Sequence, residues 1–336
     1  MKSRVWTTID FNARGAQADF ARVPYSSDAS AYGWIPVPMF CFNGGQGPTA
    51  LLTAGNHGDE YEGQVALRRL VHDLGKVDVR GRVIVLPALN QPAVVAGRRT
   101  SPLDGGNLNR LFPGDPTGGP TSMIAHYVAT ELFPLADLVI DVHSGGSSLD
   151  HVAMALARPG RDEKQAEAIR RLLKSFGAPY GAMTKGESGG ASTTLYAAAE
   201  EQGIPALTTE LGSGSTLSKA GLAIAESGLR RVLRDYGIVP SMDAPAPQVT
   251  QLVRYPIASI YSPCAGLFEP FAAPGEVVAC GQRAGLVHRL DDALSDPVEL
   301  TFPAAGIVTF RRFPTLSSAG DALFGLMAQL DVPAGA

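Results

Sequence analysis

The chain has 336 residues, 45% apolar and 18% charged, with 38 Gly and 25 Pro, a composition that excludes a disordered or coiled-coil chain and suits a compact, loop-rich protein of about two domains. Its 28 basic residues against 32 acidic ones leave a net charge of -4 with no Lys/Arg run, so neither nucleic acid nor an anionic membrane surface is an expected partner. The start, MKSRVWTTIDFNARG, carries no signal-peptide core and no stretch approaches the ~18 apolar residues of a membrane span, which predicts a soluble cytoplasmic protein.

Residues 1 to about 48 read as leading strands and loops, with Trp34 to Phe42 a strand before the GGQGP turn. The run TALLTAG follows, and then EYEGQVALRRLVHDLG (Glu60 to Gly75), in which Val65, Leu67, Leu70, Val71 and Leu74 leave one apolar helical face. Arg82 to Asn90 predicts the next strand, and TSMIAHYVATELFPLA a helix capped by Thr121 or Ser122. Further helices are expected over Arg161 to Gly177, Ser192 to Gly203 and Lys219 to Gly237. Strand and helix alternate, so the sheet is at least partly parallel.

Val239 to Val249 holds three prolines and little apolar periodicity, which marks a linker and a boundary between residues 1–245 and 246–336. Beyond it come short, glycine-punctuated strand-like pieces, the pattern of a small β-barrel or sandwich. The tail faintly resembles a biotinyl or lipoyl barrel, but no lysine occurs at or after residue 220, which excludes an attached prosthetic group and leaves a wall or lid of a cleft. Cys41, Cys264 and Cys280 are odd in number and lack CxxC spacing, so they read as free thiols.

The chemistry concentrates where three apolar runs end. TALLTAGNHGDE delivers His57 and Glu60, LADLVIDVHSGG delivers His143, and IPALTTELGSG delivers Glu210. In an open α/β sheet the ligand crevice lies beyond the carboxyl ends of the strands, so the four side chains are expected to converge there. His57 and Glu60 would stand one turn apart if Asn56 to Glu62 turns into a helix. With His143 they make the three-ligand set of a catalytic zinc site, one ion per chain. The competing reading is a capping His57 with Glu60 at a helix dipole.

Asp141, two residues before His143 on the same strand face, is placed to orient a ligand imidazole. A strand-end aspartate accepting only backbone bonds is the alternative. Glu210 can take a proton from water and return it to a departing amine, or simply cap a nearby helix. In GGNLNRLFPG, Asn109 and Arg110 are candidate substrate-carboxylate ligands, the guanidinium being a planar fork for that group. Either Arg98 or Arg99 can polarise a scissile carbonyl, and spacing does not choose between them. His72, His126, His151 and His288 receive no role.

GNHGDEYEG, GGNLNRLFPG, DVHSGG and TTELGSG, in this order and separation, resemble the aspartoacylase and succinylglutamate desuccinylase family of zinc hydrolases, itself similar to zinc carboxypeptidases. The resemblance implies a mixed sheet with helices on both faces plus a small all-β C-terminal domain. It also implies that His57, Glu60 and His143 bind Zn2+, that Glu210 is the general acid and base, that Asn109 and Arg110 hold the substrate carboxylate, and that Arg99 polarises the carbonyl. The expected substrate is a small N-acyl amino acid. RTSPLDGGNLNRLFPG and DVHSGGSSLD look most like the family branch that deacetylates N-acetyl-2,4-diaminobutyrate in ectoine degradation. Its free ammonium would need an acidic partner, for which Asp150 and Glu187 are candidates. Succinylglutamate desuccinylase, aspartoacylase, metallocarboxypeptidase and non-catalytic metal-binding protein are the alternatives, and a homo-oligomer stays open.

Overall fold

The computed structural model describes residues 2–184, 191–247, 250–291 and 293–330. β1 (Gly15–Pro24) and β2 (Trp34–Asn43) form an antiparallel pair that flanks the central strands. Then follow β3 (Thr49–Ala54), α1 (Glu62–Leu74), β4 (Arg82–Leu86), α2 (Gln91–Ala96), α3 (Pro120–Tyr127) and β5 (Leu138–Val142). β6 (Leu149–His151), β7 (Met154–Ala157), α4 (Glu163–Phe176), β8 (Tyr180–Met183), α5 (Leu195–Glu201), β9 (Ala206–Glu210) and α6 (Lys219–Asp235) complete the first 235 residues. β3 pairs parallel with both β4 and β5, and β5 pairs parallel with β9. The strands that carry the candidate residues are therefore neighbours whose carboxyl ends point the same way.

Strand alternation explains why both faces are covered. Leu52, Val83, Val85 and Ile140 pack into one core with Leu67 and Leu70 of α1, Ile169 and Leu172 of α4, and Leu229 and Val232 of α6. Their neighbours Leu51, Ile84, Leu86 and Val139 face the other core, with Met123 and Ile124 of α3 and Leu195 of α5. Strands buried on both faces need near-continuous apolar runs, which is how β3 and β5 read. Each fully buried Leu, Ile or Val contributes roughly 1.5–3 kcal/mol relative to exposure, so this double core anchors the site's floor. Local caps set the helix limits: Asp162 accepts from the Gln165 N–H before α4, and Ser218 from the Gly221 N–H before α6.

Three expected elements differ in detail. α1 starts at Glu62, so His57 and Glu60 lie in the preceding loop and not on a helix. α3 starts at Pro120 behind Gly119, and neither Thr121 nor Ser122 caps it; the Asp104 carboxylate, 17 residues earlier, accepts from the Thr121 N–H and hydroxyl instead. Its continuation to Leu135 passes through a wide turn over Val128–Leu132 and a tight one over Phe133–Leu135, where a proline interrupts the ladder. The strand expected over residues 82–90 ends at Leu86, and Gln91–Ala96 is helical.

The tail consists of β10 (Gln251–Tyr261), β11 (Gly266–Pro270), β12 (Val277–Val278), β13 (Arg283–His288), β14 (Val298–Thr301), β15 (Gly306–Arg312), β16 (Leu316–Ser317) and β17 (Ala322–Gln329). β11, β13, β14 and β16 make a four-stranded antiparallel sheet. β10 instead joins the main sheet, parallel to β8, and β17, β15 and β12 extend it. β6 pairs with β15, His151 opposite Phe310, so a second seam ties the tail to the loop after His143. The result is a mixed α/β fold with helices on both faces of a large sheet and an antiparallel β-sheet at the C-terminal end.

Candidate active site

Gly55 ends β3 with φ of 74°, a left-handed turn that glycine adopts without strain. Two residues after His57's neighbour Asn56 the chain runs hard against α2: a Cβ on Gly58 would lie 1.9 Å from the Ala93 carbonyl oxygen. This close approach bends the loop so that His57 and Glu60 turn inward. His57 Nδ1 lies 2.7 Å from Glu60 Oε1, and His143 Nδ1 lies 2.8 Å from Glu60 Oε2. All three residues are buried, and one donor atom from each lies within 4.8 Å of the others.

Both imidazoles are held from behind. His143 Nε2 lies 2.7 Å from Asp141 Oδ2, and His57 Nε2 lies 3.1 Å from Asn107 Oδ1. With a cation between the rings and Glu60, these acceptors would take the Nε2 proton and free each Nδ1 lone pair, the tautomer that a metal requires. Asp141 is in turn fixed by the Thr53 hydroxyl at 2.7 Å and the Asn56 amide at 2.6 Å. Burial disfavours the charged form of both Glu60 and His143. The two imidazoles nonetheless hold the Glu60 carboxyl well below the usual range, and Asp141 with Glu60 raises His143. Two nitrogens and a carboxylate, with the second nitrogens already engaged, fit a divalent cation such as zinc.

These residues open into a cleft of about 540 Å³. Glu210, the last residue of β9, lines it with Oε2 buried and without a hydrogen-bond partner among the described residues. Burial and the Glu60 charge push its carboxyl up to about 8, against the pull of His143, Arg99 and Arg110. Arg99 lines the cleft with Nη1 3.3 Å from His57 Nδ1 and 3.8 Å from Glu60 Oε1. Arg98 is not among the lining residues; its carbonyl accepts from the Gly58 N–H, which fixes the backbone so that Arg99 faces in. Arg110 is exposed, lines the cleft and donates from Nη1 to the Asn109 carbonyl at 2.8 Å. Desolvation by the cleft walls and the nearby Arg99 lower its pKa. Asn109 accepts from the Leu195 N–H at the start of α5 at 2.9 Å, which seats this loop on the helix.

Other expectations fare differently. Asp150 pairs with Arg311 at 3.3 Å and is not among the cleft-lining residues, because its strand β6 turns it toward β15. Glu187 lies outside the described residues. His151, given no role from sequence, lines the cleft; burial pushes it down to about 4, so it is neutral there, and its Nδ1 has no partner among the described residues. Tyr196, Tyr255, Arg312 and Asp321 also line the cleft. The last three come from the tail, where glycine-bounded hairpins carry no signal of proximity to His143.

Residues 46–236 match the succinylglutamate desuccinylase/aspartoacylase catalytic domain. The chain belongs to this family. A member acts on N-acyl amino acids as a hydrolase. The chain is 42% identical, over 96% of its length and 94% of the relative's, to the N-alpha-acetyl-L-2,4-diaminobutyric acid deacetylase of Halomonas elongata. Among solved structures, the product-bound ectoine utilization protein EutE (DoeB) of Ruegeria pomeroyi is 40% identical, with a TM-score of 0.92 over 98% of this chain and 99% of that one. A succinylglutamatedesuccinylase/aspartoacylase from Rhodobacter sphaeroides is 35% identical, with a TM-score of 0.91 over 98% and 100%. No helix among the described residues is long and apolar enough to cross a membrane.

Proposed function

We propose that this deacylase removes the acetyl group from N-acetyl-L-2,4-diaminobutyrate, with one zinc ion held by His57, Glu60 and His143, in the cytoplasm. The supporting observation is the convergence of two Nδ1 atoms and a buried carboxylate on one face of a cleft that also presents Glu210. Similarity to a deacetylase named for this substrate, at 42% identity over nearly the whole chain, favours it over diacid substrates.

A zinc ion at this donor set supplies a Lewis acid that polarises the acyl carbonyl and acidifies water. Glu210, whose buried Oε2 has no partner among the described residues, takes a proton as water adds to the acyl carbon. The Arg99 guanidinium, close to His57, faces the oxygen on which negative charge develops. Glu210 then delivers its proton to the amide nitrogen, the C–N bond breaks, and acetate and a free amine result. Arg110, with Asn109 beside it, clamps the α-carboxylate and keeps the amide in register. Asp141 orients His143. We assign residues 1–245 to this chemistry and residues 246–336 to the wall of the cleft.

The test is a panel of N-acyl amino acids at matched zinc loading. kcat/KM for N-acetyl-L-2,4-diaminobutyrate should exceed that for N-acetylaspartate by ~10² or more, the scale on which paired polar groups discriminate. Preference for N-acetylaspartate or N-succinylglutamate would overturn this substrate assignment.

A further inference from the structure

A substrate with a free side-chain ammonium needs an anion in the cleft, and the charges lining it restrict the choice. Among the described residues, the lining carboxylates are Glu60, Glu210 and Asp321. Glu60 is enclosed by two imidazoles, and Glu210 is placed for proton transfer. Asp321 remains. It lies in the turn between β16 and β17, on the tail's side of the cleft.

The turn holds this carboxylate firmly. Oδ2 accepts from the Ser318 N–H at 2.7 Å and lies 3.1 Å from Arg312 Nη2. The Asp321 N–H donates to the Ser318 carbonyl, and its own carbonyl accepts from the Ser262 N–H. Oδ1 makes no hydrogen bond among the described residues, and the side chain keeps 34% of its surface accessible. An anchored carboxylate with one oxygen unengaged is pre-organised to receive a cation.

The same wall suits a second substrate carboxylate poorly. Arg312, its lining cation, directs Nε and Nη2 to the Leu316 carbonyl at 3.1 and 2.7 Å and faces Asp321. His151 is kept neutral by burial. Arg99 and Arg110 belong to the end of the cleft near His57 and Glu210.

We propose that Asp321 is a specificity-determining residue that pairs with the free ammonium group of the substrate's side chain. The inference rests on the proposed amine-bearing substrate and adds the residue that selects it. Discrimination among N-acyl amino acids would then reside in the tail, apart from the bond-breaking residues.

The experiment compares N-acetyl-L-2,4-diaminobutyrate with N-acetyl-L-norvaline, which replaces the ammonium by a methyl group, in the zinc-loaded wild type and in Asp321→Asn and Asp321→Glu. Asparagine keeps an acceptor for the Ser318 N–H, so the turn survives. Asp321→Asn should raise the ratio of KM for the amine to KM for norvaline about tenfold, the scale of one lost charge pair. Its kcat and zinc content should stay near wild type, and Asp321→Glu should recover part of the ratio. An unchanged KM ratio in Asp321→Asn, or an equal rise in KM for both substrates, overturns the assignment of Asp321 while the substrate proposal stands. A wild type that hydrolyses N-acetylaspartate but not the amine overturns both.

Discussion

Asp141 is fully buried and does not line the cleft, so its replacement isolates the support behind the proposed metal ligand His143. Its Oδ1 accepts from Thr53 Oγ1, and its Oδ2 accepts from Asn56 Nδ2 and faces His143 Nε2, all at 2.6–2.7 Å. In Asp141→Asn the amide oxygen can stay toward Asn56 and His143. The amide nitrogen then faces Thr53, whose hydroxyl reverses and accepts. The geometry survives and only charge assistance is lost, about 1–2 kcal/mol, or ~5- to 30-fold in zinc affinity. Asp141→Ala instead leaves three buried donors without an acceptor at ~1–3 kcal/mol each. Zinc affinity should fall by ~10² or more, and His143 should lose its fixed tautomer. Competition titration against a chromophoric chelator, with thermal melting of the metal-free proteins, ranks the variants. Wild-type zinc affinity in Asp141→Ala, or an asparagine variant as weak as the alanine one, would refute the role given to this carboxylate.

Glu210→Gln should retain zinc while kcat falls by ~10² or more, whereas His57→Ala should lose the metal itself; metal analysis beside steady-state kinetics separates the two, and zinc loss from the glutamine variant would make Glu210 a ligand. Arg110→Met should raise KM for N-acyl amino acids far more than for their methyl esters, and equal penalties would remove the clamp. Glu200, in α5, is pushed up to about 8 by burial against the opposing pull of Arg158. Its folded pKa exceeds its unfolded one, so the folded state holds a proton that the unfolded chain releases, and stability falls as pH rises from about 4.5 to about 8. Glu200→Gln should therefore raise Tm more at pH 8.5 than at pH 4, since the ionisation it removes costs on the order of 3 kcal/mol of stability by neutral pH; identical gains at both pH values would contradict the buried-carboxylate argument.

The convergence on the cleft was legible because its residues follow buried apolar runs. His57, Glu60, His143 and Glu210 each sit at or just past the end of a strand whose continuous hydrophobicity marks it as central. What lies across the chain was not legible. Asn107 behind His57 has no periodicity to betray it, and the capping of α3 by Asp104 crosses a 17-residue loop. Arg98 and Arg99 are indistinguishable by spacing, and only the Gly58 hydrogen bond to the Arg98 carbonyl decides which faces in. His151 and Asp150 illustrate strand alternation acting without an apolar pattern: adjacent on β6, one lines the cleft and the other pairs with Arg311. Three residues make too short a strand for sequence to assign its faces.

The register of β10 against β8 bears on any attempt to shorten the enzyme. Gln251 to Arg254 lie beside Tyr180 to Met183 in parallel, so the tail's first strand covers what would otherwise be an open sheet margin. Cutting the chain within residues 239–247 would strip that cover and leave the backbone amides and carbonyls of β8 free to pair with another molecule. A fragment ending there would keep every proposed zinc ligand yet be prone to self-association, and a minimal enzyme built around the metal site must supply a replacement strand.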